Sequence, residues 1–258
     1  MSEKKIVFFD IDGTLYNENK QLPDSTKKAI QDLKTKGHYV AIATGRAPFL
    51  FKDLRDELGI DTYVCFNGSL VVIDNEVVSK TLLDKDSLDK LIDFSSNRQH
   101  PLVFMDPDDM KTNIEAHPHV EESMGTLKCY QPGHDASYYV NREIMQTLLF
   151  CSEGEEAQYV NSFAKFDFVR WHPLSVDVLP VGGSKAKGVE TAINHLGFSK
   201  EDVYAFGDGL NDIEMLQFVV NSVAMGNAHG EVKNAAKHIT KHVNENGIEH
   251  GLKMVGLL

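Results

Sequence analysis

The stretch that most constrains this chain is Lys5-Ile6-Val7-Phe8-Phe9-Asp10-Ile11-Asp12-Gly13-Thr14-Leu15. Ile6 to Phe9 is an apolar run with the length and the β-branched and aromatic character of a strand buried on both faces. It ends on two carboxylates, Asp10 and Asp12, spaced i and i+2, which an extended backbone points to the same side. Gly13 lets the chain turn away, and Thr14 offers a hydroxyl and an amide at the same place. In open α/β sheets ligands bind beyond the carboxyl ends of the strands, where this pair falls. An Asp-Gly turn after a strand is also ordinary turn chemistry, so the rest of the chain has to decide.

The next elements continue the pattern. Pro23 to Lys36 predicts a helix with Ala29, Ile30 and Leu33 on one face, stopped by Gly37. Tyr39 to Ala43 predicts a second buried strand that runs into Thr44-Gly45-Arg46. A helix from about Pro48 to Leu58 follows, then a third strand, Thr62 to Phe66, ending at Asn67-Gly68. This β-α-β-α-β order with short connections predicts an α/β fold with a doubly wound, Rossmann-like parallel sheet. Two apolar stretches flanking Asp74-Asn75-Glu76 then signal a hairpin.

From about Leu83 to Gly182 the pattern differs. Helices are expected at Ser87 to Ser96 and Glu153 to Phe163, and strands at Leu102 to Met105, Met145 to Cys151, Phe166 to Trp171 and Ser175 to Leu179. Turn-rich links such as Asp106-Pro107-Asp108-Asp109 lie between. Alternating helices and buried strands then resume. A helix is expected at Ser184 to Leu196, a buried strand at Asp202 to Phe206 and a helix at Asp212 to Phe218. A short strand at Val219 to Met225 and a helix near Gly247 to Val255 complete it. Residues 83–182 therefore read as an α+β module inserted into a core of residues 1–82 and 183–258, with hinges near Leu82-Leu83 and Pro180-Gly183.

A second group of carboxylates follows the resumed strand directly, in Gly207-Asp208-Gly209-Leu210-Asn211-Asp212. Thr44-Gly45 after the second strand and Lys185 at a helix start are ready anion sites, because helix N-termini and glycine-supported amides attract negative charge. Asp10, Asp12, Asp208 and Asp212 brought to one rim would repel by roughly 4 kcal/mol per pair at 4 Å, with an effective dielectric near 20. Cations have to answer that repulsion. Lys185 plus a hard divalent ion would do so, and Mg²⁺ fits oxygen ligands completed by a substrate phosphate.

On these residues the chain resembles the haloacid dehalogenase superfamily of phosphohydrolases and is similar to its Cof-type branch. Asp10-Ile11-Asp12-Gly13-Thr14 resembles the first motif and Thr44 in Ala43-Thr44-Gly45-Arg46 the second. Lys185 resembles the third, with Lys187 as its rival, and Gly207-Asp208 through Asn211-Asp212 the fourth. The resemblance implies a Mg²⁺-dependent phosphatase of small phosphorylated metabolites, such as sugar phosphates or phosphorylated cofactors. Asp10 would attack phosphorus and form an aspartyl-phosphate, and Asp12 would serve as acid and then base. Ile11, Thr44, Gly45, Lys185 and Asn211 would bind phosphate. Asp10, the Asp12 carbonyl and Asp208 would hold the metal, with Asp212 close behind. The inserted module would be a cap that selects the leaving group. A phosphotransferase of the phosphomannomutase kind shares these motifs, and a non-enzymatic phosphometabolite sensor would need the same binding site.

Composition narrows the partners. With a formal net charge of −12 the chain lacks the basic surface that nucleic-acid binders use to release counterions. No stretch approaches the roughly 18 apolar residues of a membrane span, so no membrane association is expected. Three widely spaced cysteines (Cys65, Cys129, Cys151) fit reduced thiols in a cytoplasmic protein, with Cys65 a core filler. His117-Pro118-His119 reads as an exposed turn. Arg46 either touches substrate or pairs with a carboxylate, and Trp171-His172 are possible substrate contacts that a packed cap interior would equally explain. Asn67-Gly68-Ser69 satisfies the glycosylation sequon, which a cytoplasmic chain never uses.

Overall fold

The computed structural model describes residues 4–258. The first half of the chain runs β1 (Ile6–Phe9), α1 (Asp24–Thr35), β2 (Tyr39–Ala43), α2 (Lys52–Leu58), β3 (Tyr63–Cys65), β4 (Leu70–Ile73) and β5 (Glu76–Lys80). It continues as α3 (Lys85–Ser96), β6 (Leu102–Met105), β7 (Met110–Thr112), α4 (Pro118–Thr126), β8 (Gly133–His134) and β9 (Gln146–Leu149). Then come α5 (Ala157–Val160), β10 (Phe166–His172), β11 (Ser175–Pro180), α6 (Lys185–Leu196) and β12 (Val203–Gly207). The chain closes with α7 (Ile213–Phe218), β13 (Asn221–Ala224), α8 (Gly230–Ala235), β14 (His238–Ile239) and α9 (Gly247–Met254). Two compact units result: residues 4–46, 52–79 and 184–258 form one, and residues 47–51 and 80–183 the other.

The first unit is built on an eight-stranded sheet in the order β14-β13-β12-β1-β2-β3-β4-β5. From β14 to β3 every neighbouring pair is parallel, and β4 turns back antiparallel to β3. All four β1 side chains are fully buried, as the uninterrupted apolar run requires, each worth roughly 1.5–3 kcal/mol of transfer free energy. Ile6 and Phe8 pack with Ala41, Val64, Val189, Ile193 and Ala205, while Phe9 stacks on Phe206 with ring centroids 5.1 Å apart. Register does the positioning. Phe9 lies level with both Ile42 and Phe206, so Asp10, Thr44 and Asp208 emerge from neighbouring strands at one edge. The β4–β5 connection is the pair Asp74-Asn75, both at positive φ (50° and 66°), the geometry of a tight hairpin turn. Cys65 is fully buried in β3, and burial pushes its thiol up.

The second unit carries a six-stranded sheet in the order β10-β11-β9-β6-β7-β8, antiparallel except for β7 with β8. Its core gathers Leu88 and Leu91 of α3, Leu102 and Phe104 of β6, Leu149, Val176 and Val178, with Tyr159 at the centre of an aromatic group. Two expectations fail here. The helix expected over Glu153 to Phe163 shrinks to Ala157–Val160. Gly154 adopts φ 91°, and the Glu155 and Glu156 carboxylates accept from the Ser152 and Gly154 amides, so side chains satisfy the backbone that a helix would have used. Conversely, the turn expected at His117-Pro118-His119 is the start of α4: His117 Nδ1 accepts from the His119 amide, and Pro118 sits where a helix has no use for its missing N–H. Among the described residues no helix is long and apolar enough to cross a membrane.

Candidate active site

The site lies in the first unit, at the shared edge of β1, β2 and β12. Asp10 follows β1 directly, and its amide donates to the Phe206 carbonyl at 3.0 Å, continuing the ladder by one bond. The chain then curls back: the Thr14 and Tyr16 amides both donate to the Ile11 carbonyl, and the Gly13 amide to the Tyr16 carbonyl. Gly13 makes this possible with φ 84°, and a Cβ there would stand 2.1 Å from Asp208 Oδ2. The curl brings Thr14 Oγ1 to donate to Asp208 Oδ1 at 2.8 Å, joining the first and last of these strand ends.

Asp10, Asp208 and Asp212 bring carboxylate oxygens within 4.8 Å of one another. Lys185, first residue of α6 and 1% exposed, donates to Asp10 Oδ1 at 2.6 Å and Asp212 Oδ1 at 2.7 Å. Asp212 is fully buried, and its Oδ2 accepts from the Asp208 and Gly209 amides at 3.0 and 2.9 Å, which shapes the loop after β12. Electrostatics follow from this crowding. Burial and then the neighbouring carboxylates push Asp10 well up against the pull of Lys185. Burial, helped by Asp212, pushes Asp208 up to about 7, against the Thr14 hydroxyl bond. Burial alone would discharge Lys185, but Asp10 and Asp212 outweigh it and hold the ammonium charged.

Asp12 stands apart from that cluster. Its side chain takes a two-point bond from Arg46, Nε to Oδ2 at 2.7 Å and Nη2 to Oδ1 at 2.8 Å, and a further ion pair from Lys20. Burial would raise it, but the two cations prevail and hold it down at about 2. Of the two readings of Arg46, pairing with a carboxylate is the one found. The Asp12 side chain is committed to Arg46 and Lys20 and not to the acidic cluster, while the metal contact expected of Asp12 is its backbone carbonyl. Thr44 is 1% exposed; its Oγ1 accepts from the Arg46 amide at 3.2 Å. Lys187, the rival to Lys185, is exposed. Asn211 Nδ2 donates to Asn67 Oδ1 at 3.0 Å.

The sequence pattern of the haloacid dehalogenase-like hydrolases matches residues 7–252. The chain belongs to that family. Within it, the chain is 47% identical over 256 residues to the phosphatase candidate YkrA of Bacillus subtilis, covering 99% of each chain. A Geobacillus kaustophilus protein of known crystal structure is 54% identical, with a TM-score of 0.94 over 99% of this chain and 100% of that one. The subclass IIB sugar phosphatase BT4131 is 31% identical, with a TM-score of 0.88 over 99% of this chain and 100% of its own. The chain is thus a haloacid dehalogenase-like hydrolase along its whole α/β core.

Three contributors at this hydrolase site escape sequence reasoning. Lys20 reaches Asp12 from a left-handed backbone (φ 57°) in a polar loop that carries no pattern. Asn227 Nδ2 donates to the Gly13 carbonyl at 2.8 Å and to Asp208 Oδ2 at 3.3 Å, while its Oδ1 accepts from the Val243 amide. Its only signal is its position just past the end of β13, the same strand edge as the aspartates. Asn67 is the third, met in sequence only as a strand end and a sequon. Trp171 and His172 lie on β10 of the second unit, where His172 Nδ1 faces Ser123 Oγ at 3.0 Å. Trp171 Nε1 is buried there without a hydrogen-bond partner among the described residues.

Proposed function

We propose that this protein is a Mg²⁺-dependent phosphatase of small phosphorylated metabolites, sugar phosphates or phosphorylated cofactors, that works through an aspartyl-phosphate on Asp10. The observation that carries the reading is the cluster of Asp10, Asp208 and Asp212, with buried Lys185 paired to Asp10 and Asp212. The likeness to the sugar phosphatase BT4131 supports the substrate class.

The donor set fits a hard divalent cation. It is all oxygen, and two of its carboxylates are pushed toward the protonated form by burial and by the neighbouring carboxylates, a cost that a bound cation would relieve. Asp10 and Asp208 would hold the ion with Asp212 behind them, and the Asp12 carbonyl completes the protein's share. Bound there, Mg²⁺ would supply positive charge to the phosphoryl oxygens. The residues do the rest. Asp10 forms a bond to phosphorus as the ester P–O bond breaks, and Asp12 gives a proton to the departing oxygen. Water then attacks phosphorus, Asp12 takes its proton, and the Asp10–phosphorus bond breaks to release phosphate. Asp12 as found is the carboxylate required by the second half, so the first half requires Arg46 and Lys20 to release it. Lys185, Asn211, Thr44 and the amides of Ile11 and Gly45 would hold the phosphoryl oxygens. The second unit contains none of these residues, and we assign it the choice of leaving group, with Trp171 and His172 as candidate contacts.

A panel of phosphorylated metabolites tests the whole reading. Free phosphate is expected from at least one sugar phosphate or phosphorylated cofactor, and an isomerised ester with no free phosphate would turn the assignment to a phosphomutase. Chelation should abolish phosphate release and Mg²⁺ restore it, while excess Ca²⁺, with more ligands at longer distances, should inhibit. Full turnover after verified metal removal would end the metal assignment.

A further inference from the structure

Phe66, Asn67 and Gly68 adopt φ of 50°, 51° and 100° in succession. Two consecutive left-handed residues that are not glycine, one a bulky phenylalanine, are a backbone outlier, and such strain persists only where the surroundings over-determine it. The connection from β3 to β4 does not ask for it, since four-residue hairpin loops are commonly built on ordinary type I turns. The neighbours of the turn do. The Phe66 amide donates to the Arg46 carbonyl at 3.2 Å and the Asn67 amide to the Thr44 carbonyl at 3.1 Å, gripping the second motif on both sides of Gly45. The Asn67 side chain lies so close to Gly45 that a Cβ there would stand 3.0 Å from its amide atoms. A Cβ on Gly68 would stand 2.1 Å from the Ser184 carbonyl oxygen, so this turn abuts the start of α6, where Lys185 follows. Asn67 Oδ1 meanwhile accepts from Asn211 Nδ2 in the fourth motif.

One turn therefore touches the second, third and fourth motifs. We propose that the Phe66–Gly68 turn is the template that sets these three segments in register, and that Asn67 is a positioning residue that orients Asn211 for the phosphoryl group. The inference rests on the phosphatase reading of Asn211. An asparagine amide turns in a broad torsional well. Fixing one of its N–H groups on Asn67 aims the other, so the donor is set before phosphate arrives and the ordering cost is met in folding. The sequon residue is thus a buried structural acceptor, 5% exposed.

Asn67→Gly tests this without threatening the fold, because glycine takes the left-handed backbone freely and only the side chain is lost. Binding of inorganic phosphate in the presence of Mg²⁺ is measured by calorimetry, alongside thermal melts, for wild type, Asn67→Gly, Asn211→Ala and the double variant. Asn67→Gly should weaken phosphate binding about tenfold, the order of one lost hydrogen bond, and leave Tm within a few degrees. In the Asn211→Ala background it should add less than about twofold, because the two act as one unit. Phosphate affinity within twofold of wild type in Asn67→Gly would overturn the proposal, and so would full additivity in the double variant. A wild type that binds phosphate but hydrolyses no phosphoester would bring down the phosphatase reading alone, while the cycle still decides the tether.

Discussion

Asp10→Asn is expected to lower phosphate release by at least about 10⁴-fold, since an amide oxygen has neither the charge nor the basicity to displace an alkoxide at phosphorus. The fold should be untouched. Lys185 keeps Asp212 Oδ1 at 2.7 Å, and the new amide oxygen still accepts where Asp10 Oδ1 does now. Asp10 is 6% exposed and crowded by two carboxylates, so replacing it with a neutral group removes desolvation and repulsion together. Tm should therefore hold or rise while activity collapses. Opposite movements of stability and rate mark a residue placed for chemistry at a cost in stability. The measurement is phosphate release from the best substrate of the panel together with a thermal melt. Activity within tenfold of wild type in a folded Asp10→Asn protein would remove Asp10 from the nucleophile's role.

Much of this site is legible in the amino-acid sequence because it is built on strand ends. A buried parallel strand announces itself as an apolar run, and its last residue is followed at once by the group it delivers; Asp10 after Phe9 and Asp208 after Gly207 are the two cases. Lys185 is legible for a related reason, being the first residue of a helix capped by Ser184. What sequence withholds depends on contacts across long separations or on single backbone angles. The Arg46–Asp12 pair joins residues 34 apart, and nothing local distinguishes it from an arginine aimed at substrate. Asn67 and Lys20 owe their roles to positive φ, a choice made by their neighbours in space. In the second unit the short α5 and the unexpected α4 have one cause: polar side chains closing on nearby amides override the pattern of apolar residues, in one place to end a helix and in the other to start it.

Removing the cation should hurt in a different way from removing the nucleophile. Lys185→Met keeps the length and apolar stem of the side chain but leaves Asp10 and Asp212 facing each other with no positive charge between them. Breaking a buried ion pair on one side costs on the order of 3–5 kcal/mol, which in a chain of this size lowers Tm by on the order of 10 °C. Phosphate release should fall by at least about 10²-fold as well, because a charged donor to the phosphoryl oxygens is lost. Added Mg²⁺ should return part of the Tm, since a cation held by Asp10 and Asp208 takes over the neutralisation, but it should not return the rate. Lys187→Met is the control: that side chain is exposed, so turnover should stay within about twofold of wild type and Tm within a degree or two. If Lys185→Met melts with the wild type and turns over within tenfold of it, the buried cation is not what holds these carboxylates together. A large loss in Lys187→Met instead would move the third motif two residues along α6.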